Sequence, residues 1–105
     1  MKIYFVDEKK KNLCIKKRIE EITEKEIDYK ENINGRINKS DIVITTDFND
    51  NYDEYKKVNN LIIITNRKDK ESIFKMTEYL NTIDIVYDDM KNYEYIADRI
   101  SRILQ

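Results

Sequence analysis

A chain of 105 residues, 40% hydrophobic and 39% charged, holds one core and no more, so residues 1–105 read as a single domain. Twenty basic and twenty-one acidic side chains leave a net charge of −1, which supplies no domain-wide field for nucleic acid or an anionic membrane surface. One glycine and no proline exclude a P-loop, a dinucleotide fingerprint and a proline-rich ligand; the lack of histidine removes the usual general base and the commonest metal ligand.

In chain order, Ile3-Tyr4-Phe5-Val6 is a short apolar, β-branched and aromatic run, hence a strand. Charge arrives at Asp7, too early for a signal-peptide hydrophobic region, and no run approaches the roughly 18 apolar residues of a membrane span. The expectation is a cytoplasmic protein with no membrane partner, and the wealth of Ile, Lys and Asn suggests an AT-rich bacterial genome. Glu8 to about Glu24 reads as a helix with Asp7 as N-cap and Ile15, Ile19 and Ile22 at helical spacing. Leu13 and Cys14 widen that stripe, which makes Cys14 a small buried hydrophobe. A single cysteine forms neither an internal disulfide nor a structural zinc site. The basic runs Lys9-Lys10-Lys11 and Lys16-Lys17-Arg18 are followed by Glu20, Glu21, Glu24 and Glu26, a solvated face laced with i, i+4 pairs.

Glu26 to Lys30 is a weaker, more polar strand, with Ile27 and Tyr29 on one face, and suits a sheet edge. Between Glu31 and Ser40 a short helix using Ile33 and Ile37 is favoured over a hairpin turning at Asn34-Gly35. Ile42-Val43-Ile44 and Leu61-Ile62-Ile63-Ile64 are continuous apolar strands, of the kind buried on both faces of a parallel sheet. Between them, Tyr52, Tyr55 and Val58 recur every third residue in a short helix within Asp50 to Asn60. Lys70 to about Asn81 forms a helix with Ile73, Thr77 and Leu80 on one face and Phe74 and Met76 beside them. Ile83 to Tyr87 alternates, as an edge strand does. In the last helix Tyr93, Ile96, Ala97, Ile100, Ile103 and Leu104 make the apolar stripe, with Asp98, Arg99, Ser101 and Arg102 on the other side. Strands and helices alternate, which predicts a three-layer α/β/α fold with a five-stranded parallel sheet in the order 2-1-3-4-5. That order puts the three most hydrophobic strands in the middle.

Ligands of such sheets bind beyond the carboxyl ends of the strands. Those ends carry Asp7-Glu8, Thr45-Thr46-Asp47, Thr65-Asn66 and Asp88-Asp89. Asp7, Glu8 and Asp47 are the candidate oxygen ligands for Mg2+. Asp47 is the candidate phosphoryl acceptor, with Thr65 as a hydroxyl donor to it. Asp7 serves equally as a helix cap, and Thr65 as a strand-end hydrogen-bonding group.

Val6-Asp7-Glu8, Asp41-Ile42-Val43-Ile44-Thr45-Thr46-Asp47 and Ile62-Ile63-Ile64-Thr65-Asn66, with the closing helix ending Arg99-Ile100-Ser101-Arg102-Ile103-Leu104, resemble the receiver domains of bacterial response regulators. The resemblance implies a flavodoxin-like fold with an acidic pair at Asp7 and Glu8, a phosphoacceptor at Asp47 and a switch hydroxyl at Thr65. The chain departs from the family at the site itself. The phosphate-contacting Lys at the end of the fifth strand falls near Asp89, with Lys91 the nearest cation, and an Asp there repels a phosphorylated Asp47. The Pro that follows is absent, the third strand carries an extra residue before Asp47, and the stretch from Asp47 to Thr65 is shortened. Such a chain is similar to atypical or pseudo-receivers, among them the N-terminal domain of TadZ/CpaE-type pilus-assembly ATPases. That resemblance implies a non-enzymatic docking, localisation or self-association module with no cofactor. Tyr87, Tyr93 and Tyr95 cluster around the last strand and helix and form the expected interface for a protein partner or a homodimer. A divergent, phosphorylated, Mg2+-binding receiver is the alternative. A flavin or phosphosugar carrier is disfavoured by the single glycine, and a phosphocysteine carrier by Cys14 lying inside the first helix.

Overall fold

A computed structural model describes residues 1–46, 48, 52–66, 69–78, 82–87 and 93–105. Its strands are β1 (Ile3–Val6), β2 (Asp28–Lys30), β3 (Ile42–Thr45), β4 (Leu61–Thr65) and β5 (Thr82–Tyr87). They form one parallel five-stranded sheet in the order β2-β1-β3-β4-β5, the expected α/β arrangement, with the polar β2 and β5 at its edges. The helices are α1 (Leu13–Thr23), α2 (Lys70–Glu78) and α3 (Tyr93–Leu104).

The near-continuous apolar strands are explained by burial on both faces. Ile3, Phe5, Ile44, Ile62, Ile64 and Val86 point one way and meet Ile15 and Ile19 of α1 and Ile96, Ala97 and Ile100 of α3. Val6, Val43, Leu61 and Ile63 point the other way and meet Ile33, Phe48, Tyr55, Val58 and Met76. Removing each such side chain from water is worth ~1.5–3 kcal/mol, so the two clusters are the main favourable term of the fold. Arg18 ties the first face together at its rim, bonding Glu94 of α3 (3.1 Å) and Glu21 of its own helix (3.0 Å), and Lys16 pairs with Glu20 (2.7 Å) as the spacing predicts.

The departures from expectation are local. The first helix is split: a 3-10 turn at Glu8–Lys10 precedes α1, and Lys10 takes a left-handed conformation (φ 56°) that breaks the run. Cys14 is exposed rather than buried, because α1 presents Ile15 and Ile19 to the sheet and leaves its neighbour outside. Residues 31–40 are neither helix nor hairpin. Gly35 (φ +95°) turns the chain there, and Lys30 and Lys57 hold the successive carbonyls of Asn34 (2.7 Å) and Gly35 (2.9 Å) while Ile33 reaches the core. Tyr52–Lys57 is a 3-10 helix, whose repeat of three is the spacing that places Tyr55 and Val58 inward. In α2, Ile73 and Met76 pack inward and Phe74 is 63% exposed; the Thr77 side chain and Leu80 lie outside the described residues. In α3, Ser101 is buried, its hydroxyl donating to the Ala97 carbonyl (2.7 Å), and Arg99 reaches β5 rather than open solvent. No helix among the described residues is long and apolar enough to cross a membrane.

Candidate functional site

The order of the strands reverses between β1 and β3, and the crevice beyond their carboxyl ends is the natural ligand position. Asp7 stands there, 1% exposed. Its Oδ2 accepts the backbone N–H of Asn12 (2.6 Å), and its Oδ1 accepts Asn12 Nδ2 (3.0 Å) and Thr46 Oγ1 (3.0 Å). Asp7 therefore caps the start of α1 through Asn12 instead of capping the 3-10 turn that follows it directly. It also ties the end of β3 to the same point, supported by the Thr46 N–H bond to the Val6 carbonyl (3.2 Å). A carboxylate offers about four lone-pair positions, and three are used here. Mg2+ at Asp7 would take the remaining position or displace one of these bonds.

Glu8, the second of the acidic pair, is exposed in the 3-10 turn. Thr65 is buried (6% exposed) at the end of β4, and Thr45, the last residue of β3, hydrogen-bonds the Tyr55 hydroxyl within the second core cluster. Asp47, Asp88, Asp89 and Lys91 lie outside the described residues. Among the described residues no three Asp, Glu or Cys side chains converge as a metal site. Beside Asp7, the Tyr29 hydroxyl donates to the Asp7 carbonyl (2.7 Å) and Lys10 Nζ sits 5.5 Å from the Tyr29 ring centroid. Burial, helped by the Glu31 charge, pushes the Tyr29 phenol above its ordinary pKa, so it stays protonated and keeps donating.

The aromatic face is divided. Tyr93 (41% exposed) lines an open groove of about 280 Å³ between α1 and α3 with Cys14, Lys17, Arg18, Glu21 and Glu94. Tyr95 (48% exposed), nearly half a helical turn round, receives a long hydrogen bond from Arg99 Nη1 (3.4 Å) on the β5 side. The backbone of Tyr87 pairs with Thr65 at the end of β5; its side chain is outside the described residues. Phe74 and Ile83 add exposed apolar surface on α2 and β5.

Two features depend on partners that the local sequence does not name. Arg99 forks onto Asp84 of β5, with Nε and Nη2 each 2.8 Å from a carboxylate oxygen, and this bond raises the guanidinium pKa further. Asp41, 1% exposed before β3, accepts the backbone N–H groups of Lys2 and Asn38, both at 2.9 Å, which lower its carboxyl pKa. An aspartate next to a buried strand is a hint of such a clamp; its partner Lys2, at the other end of the pairing, is not.

No protein-family model, curated protein or solved structure matches this chain.

Proposed function

We propose that the chain is a pseudo-receiver module, without catalytic activity, that binds a protein partner or a second copy of itself in bacterial regulation, localisation or pilus assembly in the cytoplasm. One observation carries this reading. Apart from Met1, the large hydrophobic side chains exposed among the described residues are Phe74, Ile83, Tyr93 and Tyr95, which lie on α2, β5 and α3. Exposed aromatics on α2 and α3 offer side-chain surface of the kind that favours an interface. The engagement of Asp7 in three internal hydrogen bonds is in keeping with a phosphorylation pocket that has been turned to structural use. Sedimentation velocity and pull-downs with Tyr93→Asp, Tyr95→Asp protein test it: association falls in the variant, and unchanged association removes this face.

The phosphorylated alternative draws on one contact, the Thr46–Asp7 bond, which brings the chain just before Asp47 to the acidic strand end. In that reading Asp7 and Glu8 hold Mg2+ and Asp47 accepts the phosphoryl group. Treatment with acetyl phosphate and Mg2+ then yields a phosphoryl adduct by intact mass, absent in Asp47→Asn; no adduct removes the alternative.

A further inference from the structure

The two edge strands of the sheet differ. β2 offers only three residues, Asp-Tyr-Lys, and a ladder so short and charged attracts no further strand. β5 offers six, Thr-Ile-Asp-Ile-Val-Tyr, with no proline or lysine to blunt it. An edge of that length, mixed in polarity but rich in β-branched residues, is a template for strand addition.

Two features interrupt the template. Leu61 pairs with Thr82 while Ile62 pairs with Asp84, so Ile83 is an extra residue that bulges the start of β5. At the centre, the Ile85 N–H donates to Asp84 Oδ1 (2.9 Å), and the Ile85 carbonyl receives a long bond from Arg99 Nη2 (3.4 Å). Both backbone groups of one residue are engaged by a single ion pair. Arg99 is held in place by its fork on Asp84, and the pair is partly shielded, with side-chain exposures of 38% and 24%. An added strand needs the outward N–H and C=O groups of alternate residues. Engaging those at the centre divides the six-residue edge into pieces too short to pair stably.

We propose that the Asp84–Arg99 pair is a lock on the β5 edge: it occupies the backbone groups that another strand would need, and so restricts association at this side of the domain to side-chain docking. The occupant excluded is the β5 edge of a second copy, which this strand would otherwise recruit. The lock goes beyond the partner-binding reading and does not depend on it.

Arg99→Met keeps the aliphatic stem and removes the fork. Arg102→Met breaks the exposed Arg102–Asp98 pair on the same helix and is the charge-matched control. In sedimentation velocity over a concentration series, Arg99→Met gains association beyond whatever wild type and Arg102→Met show. In its dilute monomer the Ile85 amide exchanges with solvent at least ~10-fold faster than in wild type. Asp84→Ala, which removes both the fork and the acceptor of the Ile85 N–H, behaves as Arg99→Met does and replaces it if that variant does not fold. Adding Tyr95→Asp to Arg99→Met leaves the new association in place; its loss would assign the association to the aromatic face and overturn the lock. A folded Arg99→Met or Asp84→Ala protein with wild-type association and wild-type Ile85 exchange also overturns it. Loss of partner binding in Tyr93→Asp, Tyr95→Asp protein bears on the docking reading alone.

Discussion

Replacing Asp7 with alanine removes a buried acceptor from three donors at once, the Asn12 amide, the Asn12 side chain and the Thr46 hydroxyl. A hydrogen bond to a charged group contributes ~1.5–3 kcal/mol, and a donor left buried and unpaired costs ~1–3 kcal/mol. The terms do not add, because part of the site relaxes to admit water, so the expected loss is about 3 kcal/mol rather than the sum. For a domain of this size that lowers Tm by about 12 °C, taking ~4 °C per kcal/mol. Asp7→Asn recovers only part of the loss, since its amide nitrogen cannot accept the bond that one carboxylate oxygen now accepts. Glu8→Ala, one residue along and exposed, changes stability by less than ~0.5 kcal/mol. Urea and thermal unfolding followed by circular dichroism measure all three. An Asp7→Ala protein within ~0.5 kcal/mol of wild type refutes the tie, being no more than an ordinary surface change. A wild-type Tm that rises with Mg2+, with the rise lost in Asp7→Ala, refutes it differently, by showing the carboxylate free to bind metal.

Two further outcomes follow from the geometry. Asp41 has a lowered folded-state pKa because the Lys2 and Asn38 amides favour its charged form, so its contribution is complete above the ordinary value of 3.8 and is lost as pH falls through the lower folded value. The stability gap between wild type and Asp41→Asn, read from urea midpoints against pH, therefore narrows in acid below that point; a gap that widens there contradicts the assignment. Cys14 is exposed on α1, so a disulfide reagent titrates one thiol in native protein at nearly the rate found in denaturant, and protection until unfolding contradicts its placement.

Much of the fold is legible because its determinants are local. Continuous β-branched runs at Ile42–Ile44 and Leu61–Ile64 state that both faces are covered, and the polarity of Glu26–Lys30 and Ile83–Tyr87 assigns those strands to the edges. The apolar stripe of α3 is equally plain, from Ile96 to Ile100. What resisted reading depends on distant partners. Ile15 and Cys14 are adjacent, and only the position of α1 over the sheet decides which is covered. Arg99 reads as a solvent residue until β5 supplies Asp84, and Ser101 reads as polar surface until α3 is seated on the sheet and its hydroxyl turns back to the Ala97 carbonyl one turn away. The split of the first helix follows from Asp7 capturing Asn12, five residues on, which moves the helix start to Leu13. For the candidate site, Asp7, Glu8 and Thr65 stand at the strand ends where alternation of strand and helix puts them. Which lone pairs are spent is set by Thr46 and Asn12, and no spacing rule announces that.

The packing of α1 against α3 also makes the first core layer a long-range one. The first face of the sheet is roofed by the earliest and the latest helices of this domain together, so Ile15 and Ile19 find their final neighbours only when Ile96 and Ile100 have been made. Closing this layer therefore depends on contacts between residues far apart in sequence, the kind whose loop-closure entropy must be met before they stabilise anything and which slow folding.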